Sequence, residues 1–278
     1  MATIPIYQVD AFTDAVFGGN PAAVCFLDAW LDDQVMQNIA AENNLAETAF
    51  VAPSSDEIAH YALRWFTPTQ EVDLCGHATL AAASILLSMR DPSRSMVMFA
   101  TLSGNLTVHR ADGGYEMDLP SRPPKVEPMP GGLAQAIGAR PEEFLQASNK
   151  KGMYLAIIDS ADHVRSVDPD MDFIKSLPGD GLIISAPGRG AGDRTERGTD
   201  DCDFVSRYFA PSAGIPEDPV TGSAHSVLVP YWAERLGKLT LSARQVSRRG
   251  GSLACRLQGD RVILGGNAIL YLEGTITV

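Results

Sequence analysis

Two short stretches hold most of the residues that could do chemistry. Residues 71–78 read Glu-Val-Asp-Leu-Cys-Gly-His-Ala, and residues 217–225 read Glu-Asp-Pro-Val-Thr-Gly-Ser-Ala-His. Each leads directly into an apolar run, at 79–89 and at 227–236. A turn that enters a buried helix presents free backbone N–H groups and the positive end of the helix dipole, which suits a carboxylate ligand. We therefore expect a ligand site at each helix start.

Four acid/base candidates lie in or near these stretches. Glu47, in a strand-like run, could act as a general acid or base if it faces inward, or could face solvent at a strand edge. His77 at a helix start could shuttle a proton, or could be a satisfied structural histidine. Asp73 and Asp218 each precede a helix start, where capping is the alternative role.

Other catalytic chemistries have weaker support. Cys75 would be a reactive thiol only if it were exposed, because buried cysteines are usually inert. Ser223 lacks the first glycine of the Gly-x-Ser-x-Gly nucleophile turn. The sequence has no phosphate-binding loop, no dinucleotide fingerprint and no His, Asp or Glu run with metal-ligand spacing. We expect no cofactor and no metal.

The two stretches belong to an internal repeat. Three segments of the first half match segments of the second half in the same order, with nearly constant spacing, which predicts duplication of one structural unit. If both halves fold alike, their two helix starts could face each other across an interdomain cleft, a common place for ligands. The matches are 64–68 with 207–211, 75–78 with 221–224, and 104–106 with 251–253.

The local patterns predict the elements that position these residues. Asp32 or Asp33 can cap a helix that ends near Asn44. Residues 76–89 carry no charge and predict a helix buried on all sides. The proline-rich segment 120–130 is the best candidate for a linker, and residues 141–143 look like an acidic helix start.

Composition excludes several classes of protein. The chain has 278 residues, 45% of them hydrophobic, a formal charge of −12 and a pI near 4.8. An acidic chain without a basic patch is not expected to bind nucleic acid. The longest uncharged apolar run, 78–89, is well short of the ~20 residues of a membrane-spanning helix. Four scattered cysteines favour a reducing, cytoplasmic location.

Several motifs spread over the chain resemble the phenazine-biosynthesis PhzF-like family of isomerases, within the diaminopimelate epimerase superfamily. They occur in family order and cover nearly the whole chain, which makes the set far more specific than any one motif. The matching strings are residues 8–12, 19–21, 44–50, 66–68, 71–79, 206–211 and 217–224.

The resemblance implies an α+β protein with a diaminopimelate epimerase-like fold. Two pseudo-repeated domains would each have a curved β-sheet or barrel around a central helix. We expect an N-terminal domain over residues 1–122, completed by a C-terminal strand at 268–278, and a second domain over 123–267. The resemblance also implies no cofactor, often a homodimer, and a small carboxylate-bearing substrate.

The same resemblance implies roles for individual residues. It gives Glu47 as the acid/base that moves a proton on the substrate, with His77 and Asp218 as further catalytic residues. The expected substrate-binding residues are Asn20, Asp73, Cys75, Gly76, Thr221, Gly222 and Ser223. In the epimerase branch two cysteines flank the substrate, whereas here Thr221 occupies the second position, which argues against two-thiol epimerisation.

Two other functions stay open on the sequence. An amino-acid epimerase or racemase would use Cys75. A non-catalytic protein that binds a small molecule would use the same cleft without turnover.

Overall fold

The computed structural model describes residues 2–147, 152–189 and 201–278. The chain forms two compact units, and both contain strands and helices, so the expected α+β class is confirmed. Unit 1 consists of Met1–Leu119 and Gly265–Val278, and unit 2 consists of Pro120–Leu264.

Strands and helices alternate irregularly along the chain. In chain order they are β1 (Thr3–Ala11), β2 (Asn20–Phe26), α1 (Asp33–Asn43), β3 (Glu47–Pro53), β4 (Tyr61–Phe66), β5 (Glu71–Val72), α2 (Gly76–Ile85), β6 (Met96–Thr101), β7 (Gly104–Ala111), β8 (Gly114–Pro120), β9 (Pro124–Val126), α3 (Leu133–Ile137), β10 (Glu143–Ala147), β11 (Met153–Ile157), α4 (Ala161–Ser166), α5 (Met171–Ser176), β12 (Gly181–Pro187), β13 (Phe204–Ala210), β14 (Ile215–Asp218), α6 (Gly222–Leu236), β15 (Thr240–Gln245), β16 (Gly251–Gln258), β17 (Arg261–Gly266) and β18 (Ala268–Thr277). A π-helical turn, Leu86–Arg90, extends α2, and a 3₁₀ turn, Pro211–Ala213, follows β13.

The strands of unit 1 form one mixed sheet. Along the sheet the order is β18, β1, β2, β3, β4, β6, β7, β8, with β5 paired to β4. The pairs β2–β3 and β4–β6 are parallel and the others are antiparallel. Helix α2 contacts strands from both ends of this order, including β18, β2 and β7. The sheet therefore curves around α2.

The composition of α2 explains why it occupies the centre. All ten residues are buried, and six of them are Gly, Ala or Ser, so the strands can approach the helix backbone closely. Its buried hydroxyl groups have partners: Thr79 Oγ1 donates to the Cys75 carbonyl at 2.6 Å, and Ser84 Oγ donates to the Ala81 carbonyl at 2.7 Å. A helix without a polar face is stable only when its whole surface is covered.

Helix α1 covers the other face of the same sheet. Its buried residues Met36 and Ile39 pack in one cluster with Cys25 and Phe50 of the neighbouring strands. Asp32 caps the helix by accepting from the Gln34 N–H, as the sequence predicts. The helix ends at Asn44, in the left-handed conformation that asparagine tolerates. The alternation of side chains along β3 then places Glu47 on the opposite face, toward α2.

Unit 2 repeats this topology. Its sheet has the order β9, β10, β11, β12, β13, β15, β16, with β14 paired to β13. The parallel pairs are β11–β12 and β13–β15, in the positions that β2–β3 and β4–β6 hold in unit 1. Helix α6 stands where α2 stands in the order of elements. The predicted duplication is confirmed by this correspondence.

One ion pair is repeated with the topology. Arg64 on β4 binds Glu71 on β5 through Nε and Nη2, both at 2.7 Å. Arg207 on β13 binds Glu217 on β14 in the same two-point manner, at 2.6 and 2.9 Å. In each unit the ion pair therefore links the strand that begins the polar stretch, β5 or β14, to the neighbouring strand by the same two-point contact. The arginine of each ion pair lies in the matched segments 64–68 and 207–211 of the repeat.

One local expectation is wrong, a second is incomplete, and others hold. Residues 141–143 do not start a helix, because Glu143 begins strand β10 in a sheet that offers partners on both sides. The proline-rich segment is not merely a linker: β9 lies within it and pairs with β10. Proline is tolerated there because β9 pairs along one edge and lies at the end of the sheet order. Helix α6 ends at Gly237, as predicted.

No helix in the described parts of the chain combines the length and the apolar character that crossing a bilayer requires.

We predict that Gly181→Ala destabilises the protein more than Gly113→Ala. Both glycines have positive φ angles, 151° and 85°. A Cβ at position 181 would lie 2.3 Å from the Phe209 carbonyl oxygen, whereas one at position 113 meets no atom within 4 Å. Gly113→Ala should cost ~1–2 kcal/mol for the backbone conformation alone. Gly181→Ala should cost a further ~1–3 kcal/mol for the clash. Urea unfolding of both variants measures this, and equal losses would contradict the prediction.

Candidate active site

Glu47 is a buried carboxylate at the start of a strand. It is the first residue of β3, pairs with Ala22 of the parallel strand β2, and is 8% exposed. The solvent-facing alternative for this residue is therefore excluded within unit 1. A carboxylate this buried needs a polar partner, because the loss of hydration disfavours its charge.

Asn20 starts the adjacent strand and lies on the same face. It is two residues before Ala22, the strand partner of Glu47, so both side chains point toward α2. Gly19 makes this placement possible: its φ is 59°, and a Cβ there would lie 2.1 Å from the Ala11 carbonyl oxygen. The turn before β2 therefore requires glycine, and Asn20 is fully buried.

The start of α2 supplies the other side chains of the cluster. Cys75 is the N-cap residue and His77 lies in the first turn, and both are buried. His77 Nδ1 lies 3.0 Å from Asn20 Nδ2 and 3.6 Å from Cys75 Sγ. His77 Nε2 lies 3.1 Å from Glu47 Oε2, at ion-pair distance but without the alignment of a hydrogen bond. The imidazole thus connects all three neighbours.

The electrostatics of the cluster follow from burial and mutual contact. Burial raises the pKa of the Cys75 thiol to about 11, and the nearby Glu47 charge acts in the same direction. Cys75 is therefore a neutral thiol near pH 7, despite its place at a helix N-terminus. Burial acts to lower the pKa of His77, but its contacts raise that pKa overall, and because Cys75 is a neutral thiol near pH 7 the charge that acts on the ring there is the Glu47 carboxylate. The Glu47 carboxylate thus has a cationic partner available.

The same cluster contains three kinds of metal-ligand atom. A carboxylate oxygen of Glu47, the sulfur of Cys75 and a ring nitrogen of His77 all lie within 4.8 Å of one another. Spacing along the sequence predicts no metal site. Glu47 comes from a strand far from the helix start in sequence, so only the tertiary structure brings the three groups together.

The start of α6 in unit 2 has a different set of polar groups. Thr221 is the N-cap residue, and its Oγ1 donates to Asp218 Oδ2 at 2.5 Å. Gln245, fully buried on β15, holds both: its Oε1 accepts from the Thr221 N–H at 2.8 Å, and its Nε2 donates to the Asp218 carbonyl at 2.6 Å. Thr221 thus holds the carboxyl group of Asp218, and Gln245 holds its backbone.

His225 is a structural histidine in the first turns of α6. Its Nδ1 donates to the Thr221 carbonyl at 2.7 Å, and its ring is fully buried against Phe204. Burial lowers the pKa of His225 to about 4, although the bond to Thr221 acts in the opposite direction. The ring is therefore neutral near pH 7.

Comparison with known proteins identifies the family. The family model described as phenazine biosynthesis-like protein matches residues 9–274. The chain belongs to this family. An uncharacterized isomerase of Pseudomonas aeruginosa is 47% identical over 273 residues, which cover 98% of each chain. The family assignment made from the sequence is confirmed.

Solved structures confirm the fold. The crystal structure of a PhzF family protein from Enterococcus faecalis has a TM-score of 0.88 and 42% identity, and covers 100% of both chains. A hydroxyproline epimerase from Agrobacterium vitis has a TM-score of 0.62 at 12% identity, covering 99% of this chain and 92% of that one. The second likeness concerns the fold alone, and it places this family member among the epimerase-like folds.

The structure brings most of the expected site residues of unit 1 together and leaves Asp73 apart. Within unit 1 it brings together Glu47, His77, Cys75 and Asn20, with Gly76 buried between Cys75 and His77 in the chain. Asp73 stays apart from these contacts: its residue is exposed, and its carbonyl accepts from Ser103 Oγ at 2.6 Å. It does not cap α2, because Cys75 holds the N-cap position.

Within unit 2 the expected residues are adjacent in the chain and form one group. Asp218 and Thr221 are hydrogen-bonded, Gly222 is buried, and Ser223 is half-buried in the first turn of α6. The sequence motifs did not point to Gln245, the last residue of β15. The sequence did hold one signal. Leu241 and Ala243 alternate with Thr240, Ser242 and Arg244, and a strand with this alternation places Gln245 on the buried face.

We predict that His225 makes stability depend on pH. Between pH 6.5 and about 4 the unfolded chain binds a proton on this ring and the folded chain does not. The free energy of unfolding should therefore fall as the pH is lowered through this window, by up to ~3 kcal/mol. In His225→Gln this part of the pH dependence of the unfolding free energy should be absent.

Urea unfolding at several pH values between 4 and 7 measures the effect. The exposed His109 offers a matched control, since His109→Gln should keep the wild-type slope. Equal slopes for wild type and His225→Gln would contradict the prediction.

Proposed function

We propose that this protein is a cofactor-independent isomerase that moves a proton on a small carboxylate-bearing substrate, with Glu47 as the general acid/base. The observation that carries the proposal is the buried contact between Glu47 and His77 at the start of α2, 3.1 Å between Oε2 and Nε2. It agrees with the family, whose bacterial relatives include proteins named isomerases.

The reaction needs one group that both accepts and returns a proton. In the proposed step a Glu47 carboxylate oxygen takes a proton from one substrate carbon, and the electron pair of that C–H bond spreads into the adjacent unsaturated system. The protonated Glu47 then gives the proton to a second carbon, so the substrate is isomerised without oxidation or reduction. His77, whose pKa is raised, supplies positive charge beside the carboxylate while it is ionised.

The helix start favours a substrate with a carboxylate group. Helix α2 has no side-chain cap and no acidic residue in its first turn, so its dipole and N–H groups are available to an anion. Asn20, Cys75 and Gly76 surround that position and are proposed to contact the substrate.

The residues at the start of α6 complete the proposed set. Helix α6 likewise begins without a side-chain cap. We assign substrate contacts to Thr221, Gly222 and Ser223, and a polar catalytic role to Asp218, which Gln245 and Thr221 hold in place.

We predict that Glu47→Gln abolishes turnover but not binding. Glutamine keeps the size of the side chain and cannot accept a proton from carbon, so the rate should fall ~10²- to 10⁴-fold. The measurement is proton NMR in D₂O, following C–H exchange and isomerisation in a panel of small unsaturated carboxylates. Thermal shift with the same compounds reports binding.

The exposed glutamate of α1 provides the control, because Glu42→Gln should leave turnover unchanged. Near-normal turnover of Glu47→Gln would contradict the assignment of Glu47 as the general acid/base. A non-catalytic binding protein would instead show ligand stabilisation with no exchange even in the wild type.

A racemase that uses Cys75 is disfavoured by the state of its thiol. Its pKa of about 11 leaves little thiolate near pH 7, and its counterpart in the repeat is Thr221. We predict that Cys75→Ala lowers the rate of C–H exchange far less than Glu47→Gln does. Loss of exchange at the α-carbon of an amino acid in Cys75→Ala would favour the racemase instead.

The proposal extends to assembly and location. We propose a homodimer in the cytoplasm, in line with the resemblance and with four cysteines that are all buried and reduced. Light scattering of the purified chain measures the oligomeric state.

A further inference from the structure

We propose that the indole N–H of Trp65 donates a hydrogen bond to the substrate beside Glu47, at a carbonyl oxygen next to the carbon that loses its proton. The inference rests on the proposed function, because it takes Glu47 as the acid/base. It adds a substrate-binding residue outside the expected set. It also narrows the substrate to small carboxylates that carry an oxo group.

Trp65 is a buried donor without an acceptor on the described chain. It lies on β4 and is 1% exposed, and within the described residues its Nε1 has no hydrogen-bond partner. An indole N–H is a donor only, and in a buried tryptophan it normally finds an acceptor. Trp232 shows the usual case, because its Nε1 donates to Ser185 Oγ at 3.0 Å. The N–H of Trp65 is therefore left for a ligand.

The strand register places Trp65 on the face that carries Glu47. Trp65 pairs with Ala49 of β3, and Glu47 lies two residues before Ala49, so both side chains point toward α2. Glu47 and Trp65 are diagonal neighbours across an antiparallel pair, a separation of roughly 7–8 Å that an aromatic side chain can span. On its other side Trp65 pairs with Val72, three residues before the N-cap Cys75 of α2.

The repeat indicates where the ring of Trp65 lies. By the strand register Tyr208 in unit 2 corresponds to Trp65, and Gly181 corresponds to Glu47. A Cβ at Gly181 would lie 3.1 Å from Tyr208 Cε2, so that ring lies against the position of the acid/base. Tyr208 Oη donates to the Asp180 carbonyl at 3.1 Å, so unit 2 uses this donor inside the protein. In unit 1 the ring is an indole beside a carboxylate.

A neutral donor beside Glu47 suits an oxygen on which negative charge develops. When Glu47 takes a proton from a carbon next to a C=O group, the electron pair of the broken C–H bond moves toward the carbonyl oxygen. The Trp65 N–H donates to this oxygen and keeps its own proton. Glu47 then returns the proton to carbon, so the step needs no oxidant or reductant. Removing one such donor typically lowers a rate ~10²- to 10³-fold.

Nitrogen-resolved NMR of the full chain follows each indole N–H and tests the proposal. The chain has three tryptophans, and Trp65→Phe and Trp232→Phe assign their signals. Titration with α-ketobutyrate should move the Trp65 indole proton downfield, as a new hydrogen bond does. Butyrate, which lacks the oxo group, should move it far less. The Trp232 signal should stay in place, because its donor is already used.

An isosteric replacement separates a ligand contact from a packing role. Benzothienylalanine at position 65 keeps the shape of the ring and has sulfur in place of the N–H. It should weaken α-ketobutyrate binding ~10-fold, the value of one hydrogen bond. It should not lower the urea midpoint of the ligand-free protein, because no acceptor loses its donor. The same replacement of Trp232 should lower that midpoint, since Ser185 loses its donor.

The outcomes separate this proposal from the proposed function. An unmoved Trp65 signal at saturating α-ketobutyrate, or equal affinity with and without the N–H, overturns the indole contact, and neither measurement uses turnover. A lowered urea midpoint for the replacement at position 65 would also overturn it, because the N–H would then have an acceptor in the protein. Normal C–H exchange in Glu47→Gln would contradict the acid/base role and leave the indole contact standing.

Discussion

The burial of one carboxylate beside one imidazole is the constraint on which the candidate site in unit 1 depends. Glu47 and His77 come from a strand start and a helix start, and neither could be buried at low cost without the other. Their contact requires a sheet that curves around α2, a helix of small residues that lets the strands approach, and a glycine turn that places Asn20 beside the ring. Packing and chemistry therefore depend on the same few positions.

The two units show how a duplicated framework can hold different chemistry. The strand pairings and the Arg–Glu ion pairs correspond in both units. The side chains at the helix starts do not correspond: Cys75 and His77 are replaced by Thr221 and Ser223. Framework positions are held by packing and backbone pairing, whereas the side chains around a ligand position are free to diverge.

The position in unit 2 that corresponds to Glu47 shows the same divergence of side chains on a shared framework. The strand register aligns Thr48 with Phe66 and Leu182 with Phe209, so Gly181 in unit 2 corresponds to Glu47 in unit 1. Gly181 lies too close to the Phe209 carbonyl for any side chain. Unit 2 therefore cannot present a carboxylate at that position, and the proposed acid/base group has no counterpart there. This asymmetry suits a reaction in which one group both takes and returns a proton.

The sequence by itself determined the family, the fold class, the repeat and the identity of the residues around both helix starts. These follow from short-range patterns: caps such as Asp32, an uncharged helix, and ordered motif strings. The predicted helix start at 141–143 was wrong because Glu143 pairs with a neighbouring strand. Local propensity does not reveal pairing across a sheet. Only the tertiary structure decided that Glu47 is buried against His77, that the thiol of Cys75 is neutral, and that Gln245 holds Asp218. Each of these depends on groups distant in sequence, whose burial and contacts exist only once the sheets have formed.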